Sequence, residues 1–358
     1  MLQKALVLFL VVASVASVVS VVSCGKTASH YVYATIPAAS QLAVFREDPF
    51  SGVLTQLSSS PYTVGNGAYS VVIHPSGKYL YVANPGQGED DISLFTINSD
   101  GSVTESGSRT PVGAQPFLLA MDPGGNFLYV ANAVSNNISV FSIASGGSLS
   151  AVAGSPFSIN LSPKSMQIAP SGKFLFVSAP SARNGVVATF SLNSGVPTFI
   201  SEAITADNNP AGLAIAPSGG FLYTANATVS SISIYSIDST GVLVPVAGSP
   251  LADTFQSPVS LVVDPTGTYL YVANQGSNNI SSYTITSSTG FPVPVTDSPF
   301  GSEGGPSFVV TDTNGKYLFV GNQTGSAGIQ AFGVAGGSLN SIATYNVGNT
   351  PTSIAVLQ

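Results

Sequence analysis

Residues 79–84 read YLYVAN, and near-copies of this hexapeptide recur along the chain. They are FLYVAN from 127, FLFVSA from 174, FLYTAN from 221, YLYVAN from 269 and YLFVGN from 317, with a degenerate YVYATI from 31. The seven anchors are spaced by 48, 48, 47, 47, 48 and 48 residues. Self-similarity at such a period marks a supersecondary unit that buries its faces only by stacking on its neighbours. Aromatic and β-branched residues alternate with small polar ones inside each copy, as expected of strands. Each unit divides into four. In the third copy the predicted strands A to D are PFLLAMD (116–122), FLYVAN (127–132), NISVFSI (137–143) and SLSAVAG (148–154). Between A and B lies a turn: DPGGN (122–126), APSGK (169–173), APSGG (216–220), DPTGT (264–268) or TDTNGK (311–316). Proline presets the first turn position and glycine accepts the left-handed one.

Four-stranded units at this period predict an all-β fold, a seven-bladed β-propeller with four antiparallel strands per blade. A blade left incomplete would expose an unpaired edge. The chain supplies the remedy. TPTSIAVLQ (350–358) repeats the strand A pattern of SPVSLVVDP (257–265), whereas the first copy begins directly at strand B. The C-terminal strand is therefore expected to complete the N-terminal blade and close the ring. His74, one of two histidines, occupies the A–B turn slot that holds Asp122, Ala169, Ala216, Asp264 and Thr311 elsewhere. A slot that accepts alanine twice reads as a turn position and not as a catalytic one.

YLYVANPGQGEDDISLFTI (79–97) and DPTGTYLYVANQGSNNISSYTI (264–285) resemble the YVTN-type repeats of the β-propeller lactonase family, the group that includes 6-phosphogluconolactonase. The resemblance runs through all seven copies and implies the propeller fold and, for activity, hydrolysis of a sugar lactone. Its motifs are strand and turn residues, so it speaks for the fold more directly than for the chemistry. The chain contains no tryptophan, which disfavours WD40 and quinone-dependent propellers.

The N-terminus reads as a targeting segment. Lys4 is followed by apolar or small residues over 5–23 and by VVSCGK (21–26), which resembles a bacterial lipoprotein signal. Cys24 is the sole cysteine and has no intrachain partner for a disulfide. The expected organisation is a signal peptide over 1–24 with lipidated Cys24, a short linker over 25–29 and a single propeller over 30–358. A cleaved secretory signal or an uncleaved anchor are the alternatives. All three readings place the propeller outside the cytoplasm, at a bacterial cell envelope.

Charged residues are 7% of the chain, net charge is −7 and no run of Lys or Arg occurs. Nucleic-acid binding needs a basic footprint and is excluded as a reading. Propeller ligands usually sit on the face that carries the D–A and B–C loops, and the candidate residues are those expected on that face. Lys78, Lys173 and Lys316 fall in A–B turns on the opposite face; Lys164 and Arg183 remain near the expected mouth. Tyr69, Gln115, Phe117, Asn209 and Gln256 are the candidate ligand contacts. No metal is assigned, because Glu89, Asp90 and Asp91 lack the spaced ligands of a calcium loop. No cofactor is implied. Five asparagines, Asn84, Asn132, Asn226, Asn274 and Asn322, end strand B and are expected to close the B–C loop onto its backbone.

The absence of a recognisable catalytic constellation leads the sequence reading to a non-catalytic module: a monomeric, membrane-tethered propeller that binds an envelope protein or a glycan. The alternative is a sugar-lactone hydrolase at the channel mouth. In that case Lys164 and Arg183 polarise the carbonyl, and Glu303 or Asp207 serves as base.

Overall fold

The computed structural model describes residues 30–357 apart from 182–183, 206–208, 253–254 and 325–327. Cys24 and the signal segment lie outside the described residues. The remainder forms seven antiparallel sheets, and the chain visits them in order. Blades 2 to 7 each begin with strand A: Ser70–Ile73, Pro116–Met121, Ser165–Ile168, Pro210–Ile215, Pro258–Val263 and Pro306–Thr311. Blade 1 is built from both ends. Its strand A is Ser353–Leu357, paired antiparallel with strand B, His30–Ile36, so that Tyr33 faces Ala355 and Thr35 faces Ser353.

Strand D departs from the expected pattern of four continuous strands. It is split into two short pieces in five blades, as in Leu149–Ala151 and Phe157–Ser158, both paired to Asn137–Ile143. Blades 4 and 7 keep it continuous, over Val196–Ile204 and Ser338–Asn346.

The core is not one mass. It is seven apolar clusters, one at each junction between neighbouring blades. Strand B contributes to the clusters on both of its faces, which explains why Leu-x-Val-Ala runs inside it are buried throughout, as in Tyr79–Asn84. The aromatic residues flanking that leucine have separate roles. The first ring lies against a C–D turn glycine of the next blade: Gly101 meets Tyr31, Gly147 meets Tyr79, and Gly195 meets Phe127. The same contact closes the ring, where Gly52 of blade 1 meets Tyr317 of blade 7. Gly52 has φ +69°, and a Cβ there would collide with the Tyr317 ring, so both backbone and packing require glycine. In three blades the second ring is a tyrosine that donates to that turn's carbonyl: Tyr33 Oη to Gly101 O at 3.0 Å, Tyr81 to Gly147 at 2.7 Å and Tyr223 to Gly290 at 2.8 Å. In blade 6 Ser282 Oγ takes the equivalent Gly337 carbonyl at 2.6 Å in place of Tyr271. The repeated hexapeptide is thus the seam between blades.

The A–B turns form the base of the wheel. Asp264 accepts from the backbone N–H of Thr268 at 2.7 Å and of Tyr269 at 2.6 Å, tying its own turn shut. His74 ties two blades together. Its Nδ1 accepts from Ser76 N at 3.0 Å, which leaves Nε2–H to donate to Gly125 O of blade 3 at 2.9 Å. Both nitrogens are committed, in keeping with a structural role. The blade 7 member of this slot is Asp312 and not Thr311, because Asp312 N bonds Tyr317 O as His74 N bonds Tyr79 O.

Also at the base, at the closing junction, Glu47 is 1% exposed. His30 Nδ1 lies 3.9 Å from its Oε1, and neither carboxylate oxygen accepts a hydrogen bond among the described residues. Burial, reinforced by the like charges of Asp312 and Asp48, pushes its carboxyl up to about 7.

Candidate active site at the channel mouth

The strands A surround a central channel. The residue that opens each one on the D–A loop side is Tyr69, Phe117, Lys164, Ala211, Val259, Ser307 or Thr352, in blade order from 2 to 7 and then 1. All seven border one cavity of about 500 Å³, within the range of about 300–1,000 Å³ usual for small-molecule sites. Local structure explains their aim. In blades 3, 5, 6 and 7 the register skips from Pro116 to Leu118, Pro210 to Gly212, Pro258 to Ser260 and Pro306 to Phe308. The skipped residue is the unpaired member of a bulge, a device that redirects a side chain, and proline fits there because it has no N–H to offer the ladder. Blade 2 lacks the proline, and blade 4 keeps it as Pro163 ahead of its strand A; in these two blades Tyr69 N and Lys164 N donate to Ala83 O at 2.9 Å and Ser178 O at 2.8 Å.

Below the mouth lies a layer of serines. Strand A is the inner edge of its sheet, and its outward N–H groups need partners. Ser353 Oγ accepts from Val71 N at 3.2 Å, Ser70 from Leu119 at 3.3 Å, Ser165 from Leu213 at 3.1 Å and Ser260 from Val309 at 3.3 Å. Each serine hands its oxygen to the next blade. These hydroxyls line the channel but serve as struts.

The mouth itself is neutral and partly aromatic, with Lys164 exposed in its rim. Tyr69 and Phe117 meet edge to face with centroids 6.1 Å apart. The Tyr69 carbonyl is held by Thr352 Oγ1 at 2.7 Å and Thr35 Oγ1 at 2.9 Å, so the ring-closing segment positions this residue directly. Burial pushes the Tyr69 phenol up, and it remains a neutral donor at ordinary pH. Gln275 Nε2 donates to Gln323 Oε1 at 2.9 Å across the B–C loops of blades 6 and 7, and both border the cavity. Sequence reasoning missed this pair and the serine layer. Alignment of the copies at the position after Asn274 and Asn322 shows the glutamines. Among the described cavity-lining residues there is no carboxylate and no histidine.

Of the residues singled out in sequence, Tyr69, Phe117 and Lys164 lie on the cavity wall. Gln115 has φ +55°, donates its N–H to Asp90 Oδ1 at 2.8 Å and accepts from Ala133 N at 2.9 Å. Gln256 likewise bonds Ser277 Oγ and Gly276 N through its backbone, at 3.2 and 3.1 Å. Both are turn residues outside the cavity lining, as is half-buried Asn209. Glu303 N donates to Gln330 Oε1 at 3.1 Å and its Oε1 accepts from Thr344 Oγ1 at 3.3 Å. That contact draws its carboxylate to the outermost strand of blade 7 and away from Lys164. Arg183 and Asp207 lie outside the described residues.

The acidic run is dispersed: Glu89 binds Arg109 at 2.7 Å, Asp90 caps Gln115, and Asp91 accepts from Asn84 at 2.7 Å. The strand B asparagines bond side chains, not loop backbone. Asn132 Nδ2 donates to Asn137 Oδ1 at 2.8 Å and Ser139 Oγ at 2.9 Å, and Asn274 repeats the pattern with Asn279 and Ser281.

Fold and mouth together define a seven-bladed propeller with a cavity of small-molecule size at one end of its channel. Its sequence matches the profile described as "Lactonase, 7-bladed beta-propeller" over residues 26–156, 119–206 and 196–303. The chain belongs to that family. A 70-residue stretch is 47% identical to a 6-phosphogluconolactonase of Formosa agariphila; it spans 19% of this chain and 20% of that protein, so the chain matches about a fifth of the length of this curated relative. Among solved structures, a candidate 6-phosphogluconolactonase of Bacteroides fragilis superposes with a TM-score of 0.79 at 19% identity, over 93% of this chain and 99% of that one. The periplasmic gluconolactonase of Pseudomonas aeruginosa gives 0.77 at 17% identity, over 92% and 99%.

These findings overturn the expectation of a non-catalytic module that binds an envelope protein or a glycan. The expectation rested on the absence of a recognisable catalytic constellation, and the cavity wall is made by the first residues of the strands A. A cation, a phenol and a phenyl ring line it from three consecutive blades.

Proposed function

We propose that this protein hydrolyses a sugar lactone at the channel mouth. The observation that carries the reading is the convergence of Lys164, Tyr69 and Phe117 on one cavity in a chain of the lactonase family. Water adds to the lactone carbonyl, the charge gathers on its oxygen, and the ring C–O bond then breaks to release the hydroxy acid. The Lys164 ammonium and the Tyr69 phenol are the donors for that oxyanion, and donors placed in advance lower the barrier more than donors recruited from water. Phe117 and the Tyr69 ring offer an apolar surface to the C–H face of the sugar. Arg183 and Asp207 enter by sequence position, as a second polarising group and as the base that accepts the proton of water.

We further propose that the reaction takes place outside the cytoplasm, on a monomer tethered through lipidated Cys24, with Lys4, the apolar stretch and VVSCGK as support. The test is lactone consumption by the full-length chain in detergent, followed by titration of the acid released. Lys164→Ala should lower kcat/KM by about 100-fold or more, the usual cost of removing one oxyanion donor. A wild-type rate equal to buffer, or an unaltered variant, overturns the reading.

A further inference from the structure

The mouth offers a phosphorylated substrate very little, and the full charge inventory shows why. Nine residues are Lys or Arg. Lys4 and Lys26 precede the propeller, and Lys78, Lys173 and Lys316 sit in the A–B turns of the base. Arg46 lies on strand C of blade 1, where it borders a separate outer hollow beside Tyr31. Arg109 is locked between Glu89 at 2.7 Å and Glu105 at 2.9 Å. Among the described residues Lys164 is left for the mouth half, and Arg183 joins it by sequence position alone. Glu89, Asp90, Asp91 and Glu303 lie in or beside loops of that half, Asp207 and Asp253 fall in D–A segments by sequence position, and the whole chain has a net charge of −7.

A phosphate monoester brings a charge of about −1.5 to −2 at pH 7 and three strong acceptors, which proteins usually meet with several charge-assisted donors. Backbone amides do not make up the shortfall. At four seams the inner-edge N–H that faces the channel is already bonded to a serine of the preceding blade. A neutral polyol finds a better match. Tyr69 and Phe117 supply apolar surface, the amides of Gln275 and Gln323 lie at the rim, and Ser307 Oγ, which donates to Gly321 O at 3.1 Å, keeps its lone pairs for a substrate hydroxyl.

We infer that the substrate is an uncharged, unphosphorylated sugar lactone, and that Phe117 is a specificity-determining residue that seats its apolar face. This rests on the lactonase reading above and narrows it. The discriminating experiment compares glucono-1,5-lactone with its 6-phospho derivative, using the full-length chain in detergent. The neutral lactone should be preferred about tenfold or more in kcat/KM at low salt, with the gap narrowing as salt screens the acidic loops. Phe117→Ala should raise KM for the neutral lactone about fivefold with a smaller change in kcat, and Phe117→Tyr should restore it. Ser307→Arg, which adds a cation to the rim, should raise kcat/KM for the phospholactone relative to the neutral one. Equal or faster turnover of the phospholactone overturns the inference and leaves the lactonase reading standing. An unaltered KM in Phe117→Ala removes Phe117 from it. Hydrolysis of neither lactone brings down the parent reading, and this one with it.

Discussion

The two ends of the wheel are built from the same strands and treat the repeat in opposite ways. At the base, four of the six equivalent side chains serve closure, since His74, Asp122, Asp264 and Asp312 each bind a turn or the neighbouring blade, and Ala169 and Ala216 fill the other two. At the mouth, equivalent positions hold tyrosine, phenylalanine, lysine, alanine, valine, serine and threonine, and although Thr352, Phe117 and Val259 also touch the seams, the seven share no common contact or side-chain type. A repeat protein keeps what closes it and varies what it presents. Sevenfold similarity therefore marks structure, and departure from it at the channel rim marks the candidate site.

Perturbations sort along that division. The largest effect is expected from deleting Ser353–Gln358, which removes strand A of blade 1 and the Thr352-adjacent support of Tyr69. Truncating buried Ile354 alone to Ala should cost about 2–5 kcal/mol. Losing the whole strand should remove most of a net stability of about 5–15 kcal/mol, read as loss of a cooperative melting transition by circular dichroism. Next comes Lys164→Ala: a barrier increase of about 3 kcal/mol for lactone hydrolysis with Tm unchanged. A large drop in Tm would show that the mouth, too, is structural.

Glu47 sharpens the contrast from the base. Its carboxyl stands at about 7 in the folded state against an ordinary value of 4.5, so between these values the folded protein holds a proton that the unfolded chain has released. Stability must then fall as pH rises from 4.5 to about 7, and the penalty is complete above that window. Glu47→Gln should gain on the order of 2 kcal/mol at pH 8 and nothing at pH 4, in denaturant titrations at the two pH values. A gain of equal size at both would assign the effect to packing. The smallest effect is that of His74→Ala, a loss of about 1 kcal/mol in stability with turnover intact.

The fold was legible in the sequence because its information is local and repeated seven times. Even ring closure could be read, since a strand A stands alone at 350–358 and a strand B stands alone at 31. The rim register was legible for the same reason, and it led to Tyr69, Phe117 and Lys164. What escaped depends on contacts that no single copy contains. The left-handed Gln115 gives its N–H to Asp90 of the preceding B–C loop, and Glu303 is drawn outward by Thr344, 41 residues away. The serine layer was invisible because its partner N–H groups belong to the next blade. The non-catalytic reading rested on the absence of a recognisable catalytic constellation, and the match to the lactonase family overturns it. The rim is assembled from one strand start per blade, with Tyr69, Phe117 and Lys164 following one another at intervals of 48 and 47 residues, a pattern no known catalytic motif contains.

Four lysines test the division of the wheel in one experiment, because Lys164 at the rim and Lys78, Lys173 and Lys316 at the base are all exposed. Amine-reactive labelling, followed residue by residue by mass spectrometry, should slow at Lys164 when a non-hydrolysable neutral sugar lactam is present and stay constant at the other three. Unchanged labelling at Lys164, or protection of the base lysines to the same degree, would contradict the placement of the active site at the channel mouth.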